Sequence, residues 1–313
     1  LGYRAGRFVT RNKRLCSIAA AATLGLISAG IVSVQSWRRA ALERDTAQAA
    51  NAFFEGVLGS VSPFSLGHDP TVEDLLARTA DRAKSELAER PEVEFRTRMT
   101  LVRAHVALWN WKHVRQESRR ALALARGLYG AKSKEVADCL TFLGRAQTWL
   151  GPGAAIATQQ QAFEIRADLF PPDHPAIAEV LITLGFATWR TARPARLDDA
   201  EAYYRRGIEM YRRGRSTNSA DYARALFSFA NFLQSRDKDR AEVLAFVQEA
   251  VEQFEQLDQP PDRYSTAALY MYGNVLSRHG RAGAGLTQLR AFVEQVPDEL
   301  STRVFERRSR SIR

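Results

Sequence analysis

Two cysteines occur in 313 residues, Cys16 and Cys139. They cannot build a disulfide framework, and no metal-ligand spacing involves them. Histidine is almost as sparse. The five, at positions 68, 105, 113, 174 and 279, do not cluster with acids at the spacing a metal site needs. No Ser/His/Asp or Cys/His constellation stands out, and H-R-D and D-F-G kinase motifs are absent. Gly280, Gly283 and Gly285 in GRAGAG look superficially like a phosphate cradle, but they fall between two helical patterns and read as a turn. The acid pair Asp198-Asp199 reads as a helix cap, not as a catalytic dyad. Catalytic residues and metal ligands are therefore assigned to none of these positions, and no cofactor is expected for this chain.

A basic groove is missing too. The formal net charge is +10, but residues 1–14 hold five cations (Arg4, Arg7, Arg11, Lys13, Arg14) and residues 303–313 hold five arginines against Glu306. The long middle comes to +1, which argues against nucleic acid as a partner. Long apolar runs are also lacking, with one exception. Leu15–Val34, LCSIAAAATLGLISAGIVSV, carries no charge over 20 residues. At about 1.5 Å per residue this matches the hydrocarbon thickness of a bilayer. Five cations precede it and three (Arg38, Arg39, Arg44) follow, so the N-terminus is expected in the cytoplasm and the long C-terminal part outside. Trp37 sits where an interfacial anchor belongs. A cleaved signal sequence and a buried soluble helix are the other readings of this run; its length and long basic flank favour a spanning anchor. Ala21, Gly25, Ala29 and Ser33 recur every four positions and share one helix face. That face predicts a homodimer through close helix packing; the competing reading is a merely Ala-rich anchor.

The remainder is helical in pattern. Residues 35–91 read as a helical connector interrupted at 56–70 by a Gly/Ser/Pro-rich loop. A helix is expected after it, with Asp69 as N-cap and Pro70 at the first helical position. From 92 to 297 the chain repeats. An A-x-x-L-x-x-L-G pattern occurs at Ala137/Leu140/Leu143/Gly144, Ala178/Leu181/Leu184/Gly185, Ala223/Leu226/Phe229/Ala230 and Thr266/Leu269/Tyr272/Gly273. Its third members step by 41, 45 and 43 residues. A second pattern of small residues centres on Ala121, Ala162, Gly207, Ala250 and Ala291, with steps of 41, 45, 43 and 41; its last copy begins at Ala284. Two patterns sharing one period predict about five helical hairpins that stack and bury a continuous core. His174-Pro175 marks a helix start, with Asp173 or His174 ending the loop. Residues 298–313 form a basic tail.

These units resemble tetratricopeptide repeats of the longer kind found in kinesin light chains, where H-P followed by A-x-x-L-x-x-L-G is typical. The period is longer than the usual ~34 residues. The first copy lacks the L-G pair, and the last carries Thr266 in place of alanine. The resemblance covers residues 92–297 and implies an all-α tetratricopeptide-repeat solenoid, which the apolar run Leu15–Val34 is expected to precede as one transmembrane helix. Its first helices would line a concave groove that takes a protein or peptide ligand. The positions two beyond each third member, Arg145, Phe186, Asn231 and Asn274, are expected to face that groove, with Trp189 and Gln234 three further on. Asparagine there resembles a peptide-backbone clamp, and Phe186 or Trp189 would anchor a side chain. Trp109, Trp111, Trp149 and Trp189 read more readily as core than as a ligand cage.

A second resemblance runs in order through YRAGRFVTRNKR (residues 3–14), the apolar run, ALERDTAQAANAF and TVEDLLARTADRAKSELAERPEVEFR. It is similar to the C-terminal half of bacterial membrane serine/threonine protein kinases that carry such repeats outside the membrane. It implies a kinase domain preceding Leu1, with ATP and Mg only in that domain. The expected location is the bacterial inner membrane, single-pass, as a sensor or scaffold regulating the kinase. The alternative is a non-kinase repeat scaffold, secreted or membrane-bound, whose apolar run is a signal sequence.

Overall fold

In the computed structural model of the chain, the described residues are 44–45, 48–53, 55–57, 71–191, 196–257, 260–278, 280 and 282–295. The apolar run Leu15–Val34, its face of Ala21, Gly25, Ala29 and Ser33, most of the 56–70 loop and the 298–313 tail lie outside them. Regular structure among the described residues is helical throughout, without strands. No helix among them is long and apolar enough to cross a membrane.

The helices are α1 (Val72–Glu86), α2 (Pro91–Ala107), α3 (Trp111–Tyr129), α4 (Lys134–Leu150), α5 (Ala155–Leu169), α6 (Pro175–Arg190), α7 (Leu197–Arg213), α8 (Ala220–Ser235), α9 (Arg240–Gln256), α10 (Arg263–Arg278) and α11 (Ala282–Gln295). A 3-10 turn, Pro152–Ala154, leads into α5. They fall into two compact units, one ending at Thr97 and the other beginning at Arg98, so the division lies inside α2.

In the first unit, Phe53, Val57, Ala83, Leu87 and Val93 form a small core. Helix α1 starts one turn signal later than Asp69-Pro70 would place it. Thr71 is the N-cap: its Oγ1 accepts from Asp74 N at 3.1 Å, and the Asp74 carboxylate accepts from Thr71 N at 3.0 Å. This reciprocal pair satisfies two otherwise orphaned donors, which a lone Asp69 cap would not.

In the second unit the helices pair as hairpins, and the first helices α4, α6, α8 and α10 stack in sequence. The small residues of the two sequence patterns are where partner helices cross. A Cβ on Gly144 would lie 2.6 Å from Gln159 Nε2, and one on Gly185 would lie 3.1 Å from Tyr204. Ala121, Ala155, Ala162, Ala200 and Ala250 are fully buried. The last copy departs from the expected register by one residue. Ala284 is exposed, and Gly285 instead packs against α10, where an added Cβ would meet Gly273 O at 2.7 Å. The first hairpin forms without an L-G pair, through Val102, Trp111 and Val114 and a buried ion pair from Arg98 to Glu117.

Polar groups also join successive repeats. Gln159 is fully buried; its Nε2 donates to Thr141 O and its Oε1 accepts from Thr183 Oγ1, both at 3.1 Å. Arg166, 3% exposed, donates to Ala176 O at 2.6 Å, Glu179 at 2.7 Å and Asp138 at 2.8 Å. A guanidinium with three fixed acceptors in one fork sets the angle between α4, α5 and α6. Cys139 is buried, and burial pushes its thiol up to about 12. It is a packing residue, protonated at neutral pH.

Helix starts follow the expected chemistry at His174, whose Nδ1 accepts from Ala176 N at 3.2 Å ahead of Pro175. Asp198 and Asp199 do not cap α7. They lie inside its first turn after Arg196, where negative charge meets the positive end of the helix dipole.

Candidate functional site: an aromatic-walled cavity

Helices α4, α6 and α8 lie side by side, and each turns a row of residues spaced three or four apart toward one hollow. Arg145 and Trp149 come from α4. Glu179, Ile182, Thr183 and Phe186 come from α6, and Asp221, Arg224, Phe227, Ser228 and Asn231 from α8. Trp109 enters from the turn after α2, Tyr264 from the first turn of α10 and Tyr211 from α7. Together they enclose an open cavity of about 190 Å³.

The walls are a run of rings in mutual contact. Trp109 meets Trp149 edge-on at 5.1 Å and Tyr264 at 5.9 Å; Trp149 meets Phe186 at 5.3 Å. The Trp109–Tyr264 contact joins the first repeat to the last across the mouth of the cavity. Trp109 holds a left-handed backbone conformation, φ 59°. Its N–H donates to Val106 O at 3.1 Å and Asn110 N donates to His105 O at 2.8 Å, the Schellman closure in which glycine normally stands. A side chain there costs about 1–2 kcal/mol. The ring is held in place by Trp111 at 5.0 Å and by the Arg263 guanidinium, 4.3 Å over its face. Strain of this kind, at a residue lining a cavity, concentrates at functional positions.

The charges within the cavity are mostly matched. Arg224 donates to Asp221 at 3.2 Å and to Asp262 at 2.9 Å. Glu179 is taken by Arg166. Burial, then the nearby Glu179, pushes the Asp221 carboxyl above the usual range, although its side chain is 60% exposed at the cavity. Burial likewise pushes the Tyr211 phenol well up. Arg145 is different: it lies over Trp111 and Phe142 at 5.9 and 5.7 Å, with no acid at ion-pair distance among the described residues.

Of the groove residues expected from sequence, Arg145, Phe186 and Asn231 line the cavity. Trp189 does not; it packs edge-on between Phe186 at 5.9 Å and Phe232 at 5.7 Å. Gln234 is exposed near the end of α8. Asn274 donates through Nδ2 to Tyr270 O at 3.0 Å, outside the cavity lining. Trp109 and Trp149, read as core from sequence, are half-buried against the core of Val102, Trp111, Val114 and Ala146 and also wall the cavity, whereas Trp111 is wholly core at 6% exposure. His105 and His113, eight residues apart in sequence, stack at 4.8 Å. Among the described residues no group of His, Cys, Asp and Glu is arranged to hold a metal ion.

No family model matches the chain, and no curated protein matches it. Solved structures do. BtubC (BKLC) from P. vanneervenii is matched with a TM-score of 0.53 at 15% identity, over 70% of this chain and 87% of that one. A Rap protein in complex with competence and sporulation factor is matched with a TM-score of 0.55 at 10% identity, over 80% of this chain and 76% of that one. A putative kinesin light chain of Podosopora anserina, with nearly identical TPR-like repeats, is matched with a TM-score of 0.48 at 11% identity, over 64% and 93%. At 15 and 10% identity the first two show the fold: an all-helical solenoid of the tetratricopeptide-repeat type.

Proposed function

We propose that residues 92–297 are a protein-interaction module whose cavity takes a peptide segment of a partner protein. The observation that carries this is the cavity itself. Apolar rings from the first and last repeats converge on one hollow, while Asn231 and Arg145 offer hydrogen-bond donors into it. Aromatic walls supply apolar contact at low entropic cost, and a few polar groups fix orientation. The Rap match, a protein of similar fold in complex with competence and sporulation factor, supports the same reading.

The wider reading rests on sequence. Leu15–Val34 tethers the module to the bacterial inner membrane, with the N-terminus cytoplasmic and the repeats outside. The Ala21/Gly25/Ala29/Ser33 face pairs two copies. The module regulates a serine/threonine kinase domain preceding Leu1, and ATP and Mg belong to that domain. The fold has no catalytic part in this scheme; it converts partner binding into a signal.

Partner capture by the full chain tests the groove. An Asn231→Ala/Asn274→Ala double variant is expected to bind partner at least about fivefold more weakly, since unmade polar contacts in a recognition site cost about 1–3 kcal/mol. Asn231 should account for most of the loss, because Asn274 is spent on Tyr270. Undiminished capture by the double variant removes the asparagine clamp.

A further inference from the structure

Charge is segregated along the repeats. Residues 98–134 hold nine Lys and Arg against a single acid, Glu117, and that acid is buried against Arg98. On α3, Lys112, Arg115, Arg119 and Arg126 recur at helical spacing and form one stripe, roughly 21 Å long over fourteen residues. Arg120 lies beside it, and Arg103 is exposed on α2. The opposite side of α3, with Trp111, Val114, Ala121, Leu122 and Ala125, faces the core, so the cations are fixed outward. None of these six has an acid at ion-pair distance among the described residues. Elsewhere the stack supplies partners: Arg205 has Glu201 and Glu242, Arg212 has Glu249, and Arg236 has Asp198. The counter-charge for α3 is not built into the described fold.

The shape of the face narrows what supplies it. Between the cations the exposed residues are Gln116, Ala123 and Gly127. None of these three is aromatic, so the ring that anchors a shaped protein interface is missing among them. Long basic side chains on a convex helix suit a surface of many equivalent anions. We infer that this face of α3 rests on anionic lipid headgroups. The inference builds on the membrane tether proposed above, which would hold the face at high local concentration near the bilayer.

The test uses the full chain with Cys16→Ser and Ala123→Cys, labelled with a donor dye at position 123; Cys139 is buried and stays unlabelled. Vesicles carry a headgroup acceptor and are either neutral phosphatidylcholine or contain about 30% phosphatidylglycerol. Energy transfer is expected to rise at least twofold on anionic vesicles and to fall back at roughly 0.5 M salt, where exposed charges are screened. It should be lost when Lys112, Arg115, Arg119 and Arg126 are replaced by glutamine, substitutions that leave the buried side of α3 and its helicity by circular dichroism unchanged. Co-sedimentation reads the tether separately. A chain that pellets with both vesicles but shows equal energy transfer keeps the tether and overturns the α3 proposal. A chain that pellets only with anionic vesicles, dependent on the four cations, loses the tether and keeps the proposal. Pelleting with neither overturns both. Transfer on anionic vesicles that survives the glutamine variant also overturns the assignment to α3, as does capture of polyglutamate or duplex DNA by this face with no response to anionic lipid.

Discussion

Glu117→Ala is expected to cost the first repeat about 3–5 kcal/mol, the range for breaking one side of a buried ion pair. Glu117 Oε2 lies 2.7 Å from Arg98 Nη1, and both side chains are 1% exposed. Removing the carboxylate takes its 2.7 Å partner from a guanidinium that is 1% exposed, and in so dry a place desolvation makes that more costly than losing the attraction itself. At about 2–4 °C per kcal/mol for a domain of this size, the melting temperature should fall by roughly 6–20 °C. The partner experiment separates charge from packing. Arg98→Met with Glu117→Leu removes both charges and keeps volume, so it should recover most of the loss. A Glu117→Ala protein that melts within about 2 °C of the parent would show that the pair is hydrated, not buried. The exposed pair Lys132–Asp168, at 77% and 59% side-chain exposure, is the natural control, and breaking it should change little.

The second large effect is expected at the crossing of α6 and α7. Gly207→Val puts a Cβ 2.8 Å from Ile182 Cδ1 and 3.1 Å from Ala178 O. The isoleucine tip can turn away, but the carbonyl belongs to the helix ladder and cannot. Gly185→Val meets Tyr204 Cδ2 at 3.1 Å and Ala200 O at 3.2 Å. Tyr204 is itself fixed: fully buried, 2.9 Å from Ser228 Oγ and stacked on Phe229 at 5.4 Å. Overpacking of a close-packed seam usually costs about 1–3 kcal/mol. With backbone on the receiving side, each substitution belongs at the upper end. Because Tyr204 reaches into the next repeat, the damage should spread from the third repeat to the fourth. Urea unfolding followed by circular dichroism would show it as a lower midpoint and loss of a single transition. Gly127→Ala sets the reference. Nothing lies within 4 Å of a Cβ there, and an exposed helix-interior glycine replaced by alanine should gain roughly 0.5–1 kcal/mol. Equal midpoints for all three variants would mean that the glycines are not contact points.

The repeat architecture was legible because stacking imposes a strict local demand. Where two helices cross closely a small residue must recur, and Gly144, Gly185, Gly207 and the buried alanines record the crossings at one period. The same rule reads less well where several small residues adjoin. Ala282, Gly283, Ala284 and Gly285 each satisfy it, and the structure uses Gly285. Helix α1 was misplaced at its start because Asp69-Pro70 and Thr71 both offer cap chemistry, and the reciprocal bond with Asp74 decides between them.

The cavity was only half legible. Arg145, Phe186 and Asn231 follow from helix phase alone. Trp109 and Trp149 do not, because their exposure depends on how far the stack curls, and the Trp109–Tyr264 contact spans 155 positions of sequence. Curvature is the sum of small rotations per repeat and leaves no local mark. Charge was obscured by averaging. The near-neutral middle of the chain conceals a strongly basic first repeat balanced by acids elsewhere.

Photo-crosslinking from position 186 tests the central claim most directly. p-Benzoylphenylalanine in place of Phe186, in the full chain in its native cells, sits on the cavity wall between Trp149 and Trp189. The same probe at Gln248, exposed on α9 and away from the cavity, is the comparison. The account predicts one discrete adduct with a partner polypeptide from position 186, lost with Asn231→Ala, and none from position 248. Adducts from position 248 with none from 186 would place recognition outside the cavity and contradict it.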